Sequence, residues 1–125
     1  MSYVTLVSNC FDKTVHFYGT ELGFPLIEGW DRINGRGQRF DLRGGLRLEI
    51  LDNKRERRPL RLCEPAERFH VVVETDDIEA TRRNIARLAP KSQTPSWGGP
   101  TFQIYDPDGV PVTFLQLSSY GSEIH

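Results

Sequence analysis

The amino-acid sequence predicts an α+β fold of two tandem βαβββ modules, and three observations carry that prediction. First, the pattern of residues 3–22 returns after residue 70: a shift of 67 lays Tyr3 on His70, Phe11 on Ile78 and Tyr18 on Ile85. A shift of 62 lays Phe40 on Phe102 and Leu42 on Ile104, and one of 64 lays Leu48 on Val112, Glu49 on Thr113 and Ile50 on Phe114. Second, each copy switches between strand-like and helix-like periodicity in the same order. Third, a charged stretch at 53–68, broken by Pro59 and Pro65, separates the copies.

Residues 3–7 are short and β-rich, which reads as a strand. A helix follows from about Asn9–Asp12 to Leu22. Phe11, Val15, Tyr18 and Leu22 fall on one stripe of it, and Gly23 stands where a left-handed cap is usual. Residues 24–30 read as a second strand and 38–42 as a third, with Gly35 and Gly37 marking the turn between them. Gly44 and Gly45 make a tight reversal. In 46–51, Leu46, Leu48 and Ile50 then alternate with Arg47, Glu49 and Leu51.

The stretch 53–68 reads as a solvated linker. Glu56, Glu64 and Glu67 dilute its basic residues and no aromatic is interleaved, so an anion or nucleic-acid patch is the weaker reading. Residues 69–74 read as a strand. Asp76 and Glu79 have capping-box spacing for a helix that runs to about Ala89 and stops at Pro90. A loop surrounds Trp97, and 101–105 reads as a strand. Asp106-Pro107-Asp108-Gly109 is a turn and 110–117 the last strand, with Pro111 at a strand start or edge. The expected organisation is one domain over 1–125: module one at 1–52, linker 53–68, module two at 69–120 and a loosely held tail.

A net charge of -1 gives no global attraction to nucleic acid or anionic membrane. No apolar run approaches the roughly 18 residues of a spanning helix. The start of the chain carries no basic region followed by an apolar stretch, so no secretory signal is read. Cys10 and Cys63 are expected as free thiols of a cytoplasmic protein.

Several stretches together resemble the vicinal oxygen chelate superfamily, which includes glyoxalase I, extradiol dioxygenases, fosfomycin-modifying transferases and bleomycin-resistance proteins. They are Asp12 to Phe24 with its Phe17-Tyr18 and Leu22-Gly23-Phe24, Gly45-Leu46-Arg47-Leu48-Glu49, His70 to Asp77, Trp97-Gly98, and Phe102 to Gly109. The resemblance implies paired βαβββ modules whose curved mixed sheet encloses a cup-shaped cleft, and a homodimer.

Metal-using members carry ligands on the first and last strand of each module. Carried over, those places are Tyr3, Glu49, His70 and Thr113. Glu49 and His70 match the usual types; Tyr3 and Thr113 do not. A neutral phenol or hydroxyl is a poor ligand, and two good ligands fall short of the three that catalytic metal sites usually hold. Rescue by His16 or His125 is not expected, since His16 reads as an exposed helix residue and His125 as part of the tail. No metal or other cofactor is expected. Glu49 and His70 either pair with each other or orient a ligand. Trp30 and Trp97 either stack on a flat ligand or pack at a rim or interface, and Arg47 and Gln103 add polar contacts.

The sequence thus predicts a homodimeric small-molecule-binding protein of the glyoxalase/bleomycin-resistance type without a catalytic metal. The alternative is a metal-dependent lyase, isomerase or dioxygenase with an atypical site. A third is a structural or regulatory protein whose cleft is filled.

Overall fold

The computed structural model describes residues 2–61, 69–93 and 101–116. The chain divides into two compact units, Met1–Glu64 and Pro65–His125. In the first, β1 (Val4–Ser8) leads to α1 (Phe11–His16), then β2 (Leu26–Arg32), β3 (Gly35–Asp41) and β4 (Arg47–Asp52). In the second, β5 (Val71–Thr75) leads to α2 (Ile78–Asn84), then β6 (Lys91–Gln93), β7 (Thr101–Tyr105) and β8 (Pro111–Gln116). Each unit is a four-stranded mixed sheet of the same order, β1-β4-β3-β2 and β5-β8-β7-β6. The tandem βαβββ reading therefore holds.

The registers make the repeat quantitative. Val4 pairs with Leu48 in the parallel pair of the first sheet, and Val71 with Val112 in the second. The two helices start at Phe11 and Ile78. The shift of 67 thus holds through the first strand and helix, and 64 through the last strand. The shift of 62 does not hold. Phe40 pairs with Leu48 while Ile104 pairs with Val112, so Ile104 is the counterpart of Phe40 and the middle strands also shift by 64. The error is two residues, one full strand period, so apolar residues still matched apolar residues.

Strand alternation sets the faces. Leu48 and Ile50 are 1% and 0% exposed, and Val71, Val73, Val112 and Phe114 are also buried. With Phe40, Tyr18 and Ile78 they form the helix-side cores. Full burial of each such side chain contributes about 1.5–3 kcal/mol. Residues one position away from these along the same strands point to the other, open face.

Helix 1 departs from a simple α-helix. Phe11–His16 is α-helical, and Phe17–Glu21 continues as a π-turn closed by the Leu22 amide on the Phe17 carbonyl at 2.9 Å. Gly19 lies in that turn over Phe40; an added Cβ would come within 2.9 Å of the ring. Gly23 ends the helix with φ +73°, as its position predicts.

Helix 2 is capped by Asp77, whose carboxylate accepts from the Ala80 amide at 3.0 Å, and not by Asp76. The two acids are adjacent, and only the second reaches back over the first turn. The helix is also shorter than its pattern suggests: a 3₁₀ turn at Ala86–Leu88 follows, and Ala89 closes it in a left-handed conformation. Strand β6 had no sequence counterpart, because Lys-Ser-Gln offers no apolar alternation. Asp106 builds the β7–β8 turn by accepting from the amides of Asp108 and Val110, and Pro111 is the first residue of β8.

No helix among the described residues is long and apolar enough to cross a membrane. The Cys10 sulfur lies 3.6 Å from the Thr14 hydroxyl. Cys63, Trp97, His125 and residues 62–68 of the linker lie outside the described residues.

Candidate functional site

The open face of the first sheet is organised by a residue the sequence reading passed over, Arg39. It stands on β3 directly opposite Glu49 on β4. Its Nε donates to Glu49 Oε2 at 2.6 Å, and its Nη2 donates to the Tyr3 hydroxyl at 3.1 Å. Its Nη1 donates to Glu28, opposite it on β2. The guanidinium carbon lies 4.3 Å from the centre of the Tyr3 ring and 5.1 Å from that of Trp30. Cations are attracted to aromatic faces at such distances. The second oxygen of Glu49 accepts from the Thr5 hydroxyl at 3.0 Å. Glu49 is therefore buried, 6% exposed, yet bonded at both oxygens.

A β-bulge builds this arrangement. Leu26 pairs with Phe40, but Glu28 pairs with Arg39, so Ile27 is an extra residue in β2. Without it, Ile27 and Gly29 would occupy the open face where Glu28 and Trp30 now lie. Across the strand pair from Trp30 sits Gly37. A Cβ at Gly37 would come within 2.4 Å of the indole, so only glycine lets the ring lie flat there.

Tyr3, Trp30 and Glu49, named from sequence, are thus brought together, with Arg39 as their common partner. Arg47 opens β4 opposite Asp41 and lines a shallow depression of about 360 Å³ with Ser2, Arg43 and Gly44. In the second sheet, Gln103 Nε2 donates to Thr113 Oγ1 at 3.0 Å. His70 precedes β5 and is exposed; by alternation it shares the open face with Val72, 43% exposed and paired with Thr113. His16 is 3.7 Å from Glu21 on the exposed side of helix 1. Arg39 was legible in principle: counting back from the Gly44-Gly45 reversal puts it opposite Glu49.

The helix side of the same strands carries a second cluster. Arg36 lies 4.5 Å from the centre of the Phe11 ring, pairs with Asp12 at 2.8 Å, and stands 3.8 Å from both Asp31 and Asp52. It ties β3 to helix 1.

The donor set was tested against the metal that the resemblance raises. Glu49 already carries a guanidinium on one oxygen and a hydroxyl on the other, and the Tyr3 oxygen accepts from the same guanidinium. Two unit like charges about 4 Å apart repel by roughly 4 kcal/mol at an effective dielectric constant of about 20, and a dication doubles that. Among the described residues no group of three or more His, Cys, Asp or Glu side chains could hold a metal ion. The residues present do not fit such a metal.

Tandem βαβββ units with polar pairs on the open faces of their sheets define a class of small paired-module proteins. The family described as the Glyoxalase/Bleomycin resistance protein/Dioxygenase superfamily matches residues 1–114, and the chain belongs to it. Solved structures with this fold include three of diverse role. Glyoxalase I from Leishmania major is 15% identical with TM-score 0.70, covering 98% of this chain and 89% of that one. The antibiotic-binding protein TnmS3 from Streptomyces sp. CB03234 is 21% identical with TM-score 0.62, covering 93% and 96%. The fosfomycin resistance protein FosX from Mesorhizobium loti is 13% identical with TM-score 0.67, covering 100% and 97%. At such identities the likeness shows the fold alone. No curated protein sequence matches the chain.

Proposed function

We propose that the chain binds a small organic molecule on the open face of its first sheet and does so without a catalytic metal. The observation that carries this reading is the Arg39 guanidinium bonded to Glu49 and Tyr3. It supplies a fixed positive charge where a metal-using relative would need free ligands. The half-exposed rings beside it offer flat apolar surface, and a site of mostly apolar contacts with few fixed polar groups is the usual form of a small-ligand site. Tyr3, Trp30 and Glu49 with Arg39 are the proposed contacts; His70, Gln103 and Thr113 lie on the open face of the second sheet. That structurally similar TnmS3 is described as antibiotic-binding agrees with this class of role.

Calorimetric titration of Zn²⁺, Ni²⁺ and Mn²⁺ into protein purified without a histidine tag tests the reading. No tight binding is expected. Near-stoichiometric uptake, lost on Glu49→Gln or His70→Ala, would replace it with the metal-dependent enzyme. We propose also that two copies of the chain associate, because the open faces leave Tyr3, Val72 and Tyr105 between 43% and 57% exposed. Light scattering at micromolar concentration should give the dimer mass.

A further inference from the structure

Three features of β2 and β3 converge on Arg39. The bulge at Ile27 turns Glu28 and Trp30 toward it. Gly37 leaves the space in which the Trp30 ring lies. The third is an asymmetry between its two carboxylates. The Glu49 side chain is 9% exposed and also held by Thr5, so it fixes the guanidinium in place. The Glu28 side chain is 51% exposed and lies on the solvent side.

We propose that Arg39 anchors the acid group of a flat organic ligand, and that Glu28 is the chain's own carboxylate holding that place until the ligand displaces it. The inference rests on the small-molecule reading above and names the ligand class. A guanidinium has five N–H donors. Glu49, Glu28 and Tyr3 each take one. When Glu28 swings away, Nη1 and Nη2 each keep a hydrogen beyond those bonded to Glu49 and Tyr3, and a pair of Nη donors is a fork that matches the two oxygens of a carboxylate. The exchange is one carboxylate for another on the same donor, and a half-exposed ion pair gives up little when it opens. Tyr3, 43% exposed, and Trp30 beside it then supply aromatic contact for the ligand's flat body. An uncharged ligand of the same shape gains the stacking and not the fork.

The test is calorimetry on the full chain with 2-naphthoate and its uncharged counterpart 2-naphthamide. The acid should bind more tightly than the amide. Glu28→Gln should tighten the acid by roughly three- to fivefold and leave the amide unchanged. Asp31→Asn removes the same charge from the other face of β2 and should change neither. Arg39→Gln, made together with Glu49→Gln so that no buried carboxylate is stranded, should abolish the preference for the acid. Unchanged or weaker acid binding in Glu28→Gln overturns the proposal, as does equal tightening in Asp31→Asn. Equal binding of acid and amide by the natural protein removes the acid subsite and leaves the small-molecule reading standing. Binding of neither probe by the natural protein or Glu28→Gln overturns the subsite, and tight metal uptake alongside it removes the broader reading too. Glu28 is exposed on an edge strand, so the deciding variant does not put the fold at stake.

Discussion

Arg39 and Gln103 stand at equivalent positions of the two sheets, and each donates a hydrogen bond to the residue opposite it, Glu49 at 2.6 Å and Thr113 at 3.0 Å. The same backbone geometry thus carries an ion pair in one module and a neutral pair in the other. The first is flanked by aromatic rings and a second carboxylate, which makes it the more specialised of the two.

Arg39→Met leaves Glu49 buried with only Thr5 as a described partner. It should cost about 2–3 kcal/mol, below the full cost of breaking a deeply buried pair because Arg39 itself is partly exposed. Arg39→Met with Glu49→Leu should recover most of that loss. Urea unfolding of the two single variants and the double variant measures the coupling. Additive losses would show that the pair contributes no specific interaction.

Gly37→Ala places a methyl group where the indole of Trp30 lies. The ring must move, at a cost of about 1–3 kcal/mol. In a Trp30→Ala background the same change should be nearly neutral. Thermal melts of the four proteins decide this. An equal penalty in both backgrounds would locate the strain elsewhere.

Asp77→Ala should lose about 1 kcal/mol, the usual value of a helix N-cap. Asp76→Ala should stay within about 0.5 kcal/mol, as exposed substitutions away from such features do. Chemical denaturation separates the adjacent acids, and the reverse order would contradict the observed cap.

Leu48→Ala empties a site 1% exposed beneath helix 1 and should cost about 2–5 kcal/mol. Leu51→Ala, one strand period from Glu49 and only half-buried, should cost less. Equilibrium unfolding ranks the two, and equal losses would place the core on the wrong face of β4.

Much of the fold was written in local pattern. Period-two alternation alone put Leu48 and Ile50 in the first sheet, and Val71, Val73, Val112 and Phe114 in the second, on the helix side, because successive strand residues must point to opposite sides. The repeat gave the order of elements, and the Asp106 turn gave the last hairpin. Local pattern also tolerated an error of two residues in matching β3 to β7, since a slip by a whole strand period changes partners without changing faces.

What sequence alone determined, then, was the identity of most of the elements, their faces and the family resemblance. What only the tertiary structure decided was who touches whom. The bulge at Ile27 is a register property of two paired strands, and it put Glu28 and Trp30 opposite Arg39 and Gly37. Arg39 reads in sequence as an ordinary charged strand residue. It becomes the centre of the candidate site only when three strands bring Tyr3, Glu28 and Glu49 within hydrogen-bonding distance of one guanidinium. Periodicity is set by each residue's own backbone, whereas a buried charge is satisfied by partners drawn from distant parts of the chain, and those partners exist only once the sheet has formed.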